Sequence, residues 1–234
     1  MSLKKRRAGP DPDFPYLSEY ERFFFPLPEN SEGDIIAIGG NLSPGMLLSA
    51  YEQGIFPWYN EGDPILWQSP DPRFVIFPET LHVSESMKKV FKKKQFDVCF
   101  DRDFAGVIKN CAITRRPGQD GTWITQDMID AYNVLHELGY AHSSESYARG
   151  ELAGGCYGVW LGNVFFGESM FSKVSNASKT AFLTLARFLF ERGAAFIDSQ
   201  AHTNHMETLG GREISRADYL SLLRTTLAGR LAPR

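Results

Sequence analysis

The sequence predicts an α+β fold, with helices layered on a sheet in the α/β manner. Three observations carry that reading. Apolar residues recur at helical spacing near 84–93, 125–138 and 178–192. Between the last two lie three strand-like runs, 141–148, 152–161 and 164–168, broken at Arg149-Gly150 and Gly162-Asn163 as in an antiparallel meander. A buried-strand pattern at 195–200 then precedes one more helix. The order helix, meander, helix, strand, helix belongs to a layered domain.

Each element has a local reason. Residues 1–20 carry Lys4, Lys5, Arg6 and Arg7, then Pro10, Pro12 and Pro15, and read as a flexible basic, proline-rich tail. Residues 21–80 are turn-rich and read as a small N-terminal domain. Its one expected helix starts at Ser43 as N-cap, with Pro44 at N1, and stops at Gly54. Residues 81–234 form the expected larger domain. Ser84 caps a helix whose apolar stripe is Met87, Val90 and Phe91. Phe96, Val98 and Phe100 alternate as in a strand, and a short helix covers 103–112. Thr125 caps the next helix, Met128, Ile129, Tyr132 and Leu135 share its face, and Gly139 sits at C′. After the meander, Phe182, Leu185 and Leu189 line one face of the most apolar helix, which Gly193 ends. A last helix spans about 215–227.

Composition bounds the function. A chain of 234 residues suits one large domain, or one ordinary domain and a smaller one. No stretch approaches the ~18 apolar residues of a membrane span, and Met1 to Pro15 has no apolar core of a secretory signal. Cys99, Cys111 and Cys156 are an odd set without a C-x-x-C pair, which points to a reducing compartment rather than a disulfide or zinc scaffold. A net charge of -3 argues, as an average, against nucleic acid. Aromatic residues at 13% ask for a large core, an apolar pocket, or both.

Four constellations bear on chemistry. Lys88, Lys89, Lys92, Lys93 and Lys94 form a stripe at i, i+4 spacing, either a solvated face or a phosphate track. Trp58 and Trp123 sit in loops, at Gly54–Tyr59 and around Gly121-Thr122-Trp123, where an indole stacks on a base or is simply buried. Glu168 follows an aromatic strand, sharing a face with Phe166 while Phe165 takes the other. It is either an exposed strand end or an acceptor at the lip of an aromatic pocket. Asp198 and Gln200 stand at i, i+2 on a strand, as a same-face functional pair or as a cap of the following turn. Gly-rich phosphate loops, H-E-x-x-H and G-x-S-x-G are absent, so ATP, dinucleotides and a metal are not indicated.

Seven stretches together resemble one family, the bacterial leucyl/phenylalanyl-tRNA–protein transferases. They are Ala37–Pro44, Gly54–Trp58, Trp67–Arg73, Gly121–Thr125, Phe166–Ser172, Asn176–Thr180 and Ile197–Gln200, in family order. The resemblance implies transfer of Leu or Phe, and weakly Met, from aminoacyl-tRNA to proteins with N-terminal Arg or Lys, marking them for degradation. It implies a cytoplasmic, monomeric enzyme with no cofactor and no membrane contact, and a catalytic domain like the acetyl-CoA-dependent N-acetyltransferase fold. Carried over residue by residue, it places Asp198 and Gln200 in catalysis or at the acceptor. Tyr51, Trp58, Thr122, Trp123, Tyr132, Phe165 and Glu168 fall around the terminal adenosine and aminoacyl group. Phe182, Leu185 and Leu189 fall in the side-chain pocket, and the five lysines on the tRNA acceptor stem. Residues 115–121 make the approach to Trp123 longer than in the family pattern. Two alternatives remain open: an acyl-CoA-dependent N-acetyltransferase of the same fold, and a non-enzymatic RNA-binding module. Against the first, the junction 170–178 has no glycine to hold a pyrophosphate at a helix start.

Overall fold

The computed structural model describes residues 9–11, 13–114 and 123–228. Its larger sheet runs, in spatial order, β10 (Arg212–Ile214), β4 (Arg73–Ile76), β9 (Phe196–Asp198), β8 (Val164–Ser172), β7 (Glu151–Leu161), β6 (Ala141–Ala148) and β5 (Asp97–Phe100). Every neighbouring pair is antiparallel except β8 and β9, which run parallel. A parallel pair needs a crossover, and helix α5 (Ala177–Glu191) supplies it. A smaller sheet orders β1 (Ile35–Ile38), β3 (Leu66–Gln68) and β2 (Phe56–Pro57).

Alternation along the strands divides the core. Phe165 joins one apolar cluster and Phe166 the other; Phe74 and Ile76 are separated from Val75, and Phe196 from Ile197, in the same way. The two clusters are therefore the two faces of the sheet. α2 (Glu85–Lys92) and α5 cover one face through Met87, Val90, Leu185 and Leu189. α1 (Pro44–Glu52), α3 (Phe104–Ile113), α4 (Gln126–Glu137) and α7 (Arg216–Ala228) cover the other. The layered α+β class read from the sequence is the one observed.

The caps form where the sequence places them on α2 and α4. Ser84 Oγ accepts the Met87 N–H and Thr125 Oγ1 the Met128 N–H, both at 3.3 Å. Ser43 departs from expectation. It stands at the N-cap position of α1, but its hydroxyl accepts the Leu17 N–H at 3.1 Å instead of a helix amide. The tail expected over 1–20 is therefore too long. Residues 14–18 are tied to the start of α1, with the Asn41 amide donating to the Phe14 carbonyl and the Gly45 N–H to that of Leu17. The four basic residues at 4–7 lie outside the described residues.

The boundary expected at residue 80 also moves. β4, unrecognised in the sequence, is an inner strand of the larger sheet, so the division falls near Asp71–Arg73. The smaller unit shares its core with the larger one, because Leu47, Trp67, Tyr132 and Phe166 belong to one apolar cluster.

Candidate active site

A register change in the meander places Glu168. Tyr157 pairs with Ser169 but Gly158 with Gly167, so Glu168 is the extra residue of a β-bulge in β8. A bulge re-aims a side chain at a chosen point. Gly158 permits it, since a Cβ there would stand 2.1 Å from the Phe166 carbonyl oxygen. Glu168 and Phe166 both meet Tyr51, so they share a face as expected; the Tyr51 and Phe166 rings lie 5.0 Å apart.

Among the described residues, three groups hold the Glu168 carboxylate. The Tyr51 hydroxyl donates to Oε1 at 2.7 Å, the Tyr132 hydroxyl to Oε2 at 3.1 Å, and Gln200 Nε2 to Oε1 at 3.1 Å. The two tyrosine hydroxyls also bond each other. Burial pushes the Glu168 carboxyl up to about 7, against the two tyrosine hydrogen bonds that pull it down. Tyr51 and Tyr132 are themselves raised well above the ordinary phenol range, first by burial and next by the Glu168 charge.

Asp198 has a different setting. It is fully buried. Arg73 donates to both its oxygens, Nε to Oδ1 at 2.9 Å and Nη2 to Oδ2 at 2.6 Å. The Tyr219 hydroxyl donates to Oδ2 at 2.7 Å and the Gln200 main-chain N–H to Oδ1 at 2.9 Å. Arg73 also donates to the Gly54 carbonyl at 3.2 Å and lies between the rings of Phe56 and Tyr219, 4.9 and 4.4 Å from their centroids. Burial works most strongly against the Arg73 charge, but Asp198, Tyr219 and Glu168 together outweigh it and hold the guanidinium protonated. The sequence expectation of a same-face i, i+2 pair fails here. β9 ends at Asp198, and Gln200 adopts φ 58°, so the strand rule no longer applies. Asp198 caps the turn, and Gln200 alone reaches the cavity.

That cavity has a volume of about 560 Å³. Of the residues read from the sequence, Trp58, Trp123, Phe165, Glu168, Phe182 and Gln200 line it. Trp58 is 39% exposed, so its indole stands at the cavity edge rather than in the core. Tyr51 and Tyr132 do not line it; each bonds Glu168, which does. Leu185 and Leu189 do not line it either; both are buried against the sheet. The helix rise explains this. At about 1.5 Å per residue, Leu185 and Leu189 climb away from the end of α5 that meets the cavity through Ser178 and Phe182. Cys156 and Met170 take their place in the wall. Thr122 lies outside the described residues.

The five lysines are all exposed and none lines the cavity. Lys88 pairs with Glu85 at 2.6 Å. Among the described residues no group of three or more His, Cys, Asp or Glu is placed to hold a metal, and no helix is long and apolar enough to cross a membrane.

Sequence reasoning missed Arg73 and Tyr219. Arg73 carried a signal, a charge opening the apolar run Phe74-Val75-Ile76-Phe77. Tyr219 carried none, because its partners lie in other elements.

A perturbed carboxyl in a mixed polar and apolar cavity, backed by a buried ion pair, marks the candidate active site of an α+β protein. The profile of the leucyl/phenylalanyl-tRNA protein transferases matches residues 75–224, and that of their N-terminal domain residues 40–71. The two profiles meet where the sheet puts the boundary. Relatives bearing the name leucyl/phenylalanyl-tRNA–protein transferase are close. That of Flavobacterium johnsoniae is 51% identical over 203 residues, covering 87% of this chain and 96% of its own. That of Syntrophus aciditrophicus is 51% identical over 204 residues, covering 87% and 85%. That of Nitrosospira multiformis is 54% identical over 190 residues, covering 81% and 82%. The chain belongs to the leucyl/phenylalanyl-tRNA protein transferase family and is a transferase.

Proposed function

We propose that the enzyme moves Leu or Phe, and weakly Met, from aminoacyl-tRNA to the N-terminal Arg or Lys of acceptor proteins. The supporting observation is the composition of one cavity. It brings two indoles, Trp58 and Trp123, an apolar wall including Phe182, Cys156 and Met170, and the polar pair Glu168–Gln200 together. The indoles offer stacking faces to the terminal adenosine. The apolar wall takes the transferred side chain, and a pocket of that kind separates side chains differing by a methylene only ~10–200-fold, which lets Met leak through. The exposed lysines of α2 and the following turn meet the acceptor stem. Working as a monomer in the cytoplasm, the enzyme would commit its products to degradation.

The chemistry needs little activation, because an aminoacyl ester is already a good acyl donor. The acceptor α-amine must be neutral and held in line, and positioning alone is worth several kcal/mol. Gln200 presents a side-chain amide to the cavity. Asp198 fixes that residue through its main-chain N–H and so serves as a positioning residue. This reading needs no ATP, metal or cofactor.

The test is transfer of labelled Leu from charged tRNA to peptides differing only in the first residue. Arg and Lys peptides are expected to be labelled. Labelling of Asp or Glu peptides instead would overturn the acceptor assignment. Tight acetyl-CoA binding by calorimetry would favour the N-acetyltransferase alternative.

A further inference from the structure

Resting on the aminoacyl-transfer reading, we infer that Glu168 takes the proton released by the attacking α-amine, within a three-membered hydrogen-bond ring formed with Tyr51 and Tyr132.

Acceptor capacity separates the two carboxylates. A carboxylate offers about four acceptor positions. Asp198 has four donors on it, two from Arg73 and one each from Tyr219 and the Gln200 N–H. It is fully buried and does not line the cavity. Glu168 has three donors, with Tyr51 and Gln200 on Oε1 and Tyr132 on Oε2. Among the described residues one position on Oε2 stays open, and Glu168 lines the cavity. A proton leaving the amine has a carboxylate to reach there and none at Asp198.

Proton counting in the ring points the same way. Tyr51, Tyr132 and Glu168 make three mutual contacts. With Glu168 ionised, the two hydroxyls supply two protons for those three contacts. A proton arriving on Glu168 completes the ring: the acid donates to one tyrosine, which donates to the other, which donates back to the second carboxylate oxygen. The site therefore has a bonded place for one more proton. The charged and titratable groups around it come from five elements. Tyr51 belongs to α1, Tyr132 to α4 with Tyr157 of β7 beside it, Asp198 to β9 and Arg73 to β4. His205 also lines the cavity, and burial and Lys179 push it down, disfavouring its charged form. Asp198 raises the Glu168 carboxyl and Arg73 lowers it, both less than burial does, and the result near neutrality suits a base that must also give its proton back.

The step balances. The amine nitrogen attacks the ester carbonyl carbon and the C–N bond forms. One N–H proton passes to Glu168, while the Gln200 side-chain carbonyl accepts a hydrogen bond from the amine. The bond from carbon to the 3′-oxygen breaks and its electron pair goes to that oxygen. Glu168 then returns the proton there, leaving a peptide amide, a free 3′-hydroxyl and the starting carboxylate.

The experiment is single-turnover transfer of Phe from Phe-tRNA to a peptide beginning with Arg. Wild type, Glu168→Gln and Tyr132→Phe are run from about pH 6 to 9, with Phe-tRNA affinity measured in parallel. The acceptor amine titrates near 8 and gives its own limb. Glu168→Gln is expected to slow transfer by roughly 10²–10⁴-fold, keep Phe-tRNA affinity and lose the lower limb. Tyr132→Phe is expected to keep that limb but move it to higher pH, because a donor to the carboxylate is gone. Near-normal transfer by Glu168→Gln, or a loss explained by weaker Phe-tRNA binding, overturns the role. Should Glu168→Gln not fold, an unmoved limb in Tyr132→Phe overturns it. No transfer by the wild type sinks the aminoacyl-transfer reading and this inference with it, whereas normal transfer by Glu168→Gln beside an active wild type sinks this inference alone.

Discussion

The guanidinium of Arg73 grips both oxygens of Asp198, at 2.9 and 2.6 Å, with neither side chain exposed. Breaking such a pair leaves one charge buried and unpaired, at a cost of about 3–5 kcal/mol. Asp198→Ala is therefore expected to lower the unfolding midpoint strongly. The positioning role is read separately. Asp198→Asn, assayed as folded protein, should lose mainly kcat with KM for the tRNA little changed. A large rise in KM alone would contradict the role.

Glu168 makes stability pH-dependent. Its carboxyl is raised from 4.5 to about 7 in the fold. The folded state thus binds the proton more tightly than the unfolded chain. That contribution is complete below the unfolded value and is lost as pH rises through the folded one. Glu168→Gln removes the titration. Measured by urea unfolding, it should gain stability relative to wild type between acid and mildly alkaline pH, by up to about 3 kcal/mol. Parallel pH profiles for the two proteins would contradict this.

The lysine stripe predicts a salt effect. Replacing Lys92 and Lys93 by Ala should weaken tRNA binding and reduce the slope of log affinity against log salt by about 2. The rate at saturating tRNA should not change. Lys88→Ala should matter less, because Lys88 already pairs with Glu85. An unchanged slope in the double variant would place the tRNA elsewhere.

Phe182 and Leu189 share a helix but not a role. Phe182→Ala enlarges the cavity and should alter the ranking of Leu, Phe and Met donors. Leu189→Ala leaves a void in the core and should cost about 2–5 kcal/mol with that ranking unchanged. A shared effect on donor choice would show that α5 acts as one wall.

The sequence was most informative where structure is set locally. Ser84 and Thr125 cap helices through residues three positions on, and the meander breaks at its glycine turns. β4 and β10 escaped because they are short and pair across long distances, Val75 with Asp198 and Phe74 with Glu213. The bulge at Glu168 depends on a register between two strands, which alternation in one strand does not reveal. Of the two readings of Asp198 and Gln200, the turn cap held and the same-face pair failed for a related reason: the spacing was visible, but not the point where the strand stops.

The site's bonds also have a consequence in time. Tyr51 reaches 117 residues along the chain to Glu168 and 81 to Tyr132, Arg73 reaches 125 to Asp198, and Tyr219 closes the set. Contacts of such separation form only after most of the chain has collapsed. A chain still missing residue 219 can form the Tyr51–Tyr132–Glu168 ring and the Arg73–Asp198 pair, but not the hydrogen bond from Tyr219 that completes the donor set on Asp198. The buried ion pair is thus the part of the centre that is finished last, by a helix near residue 219.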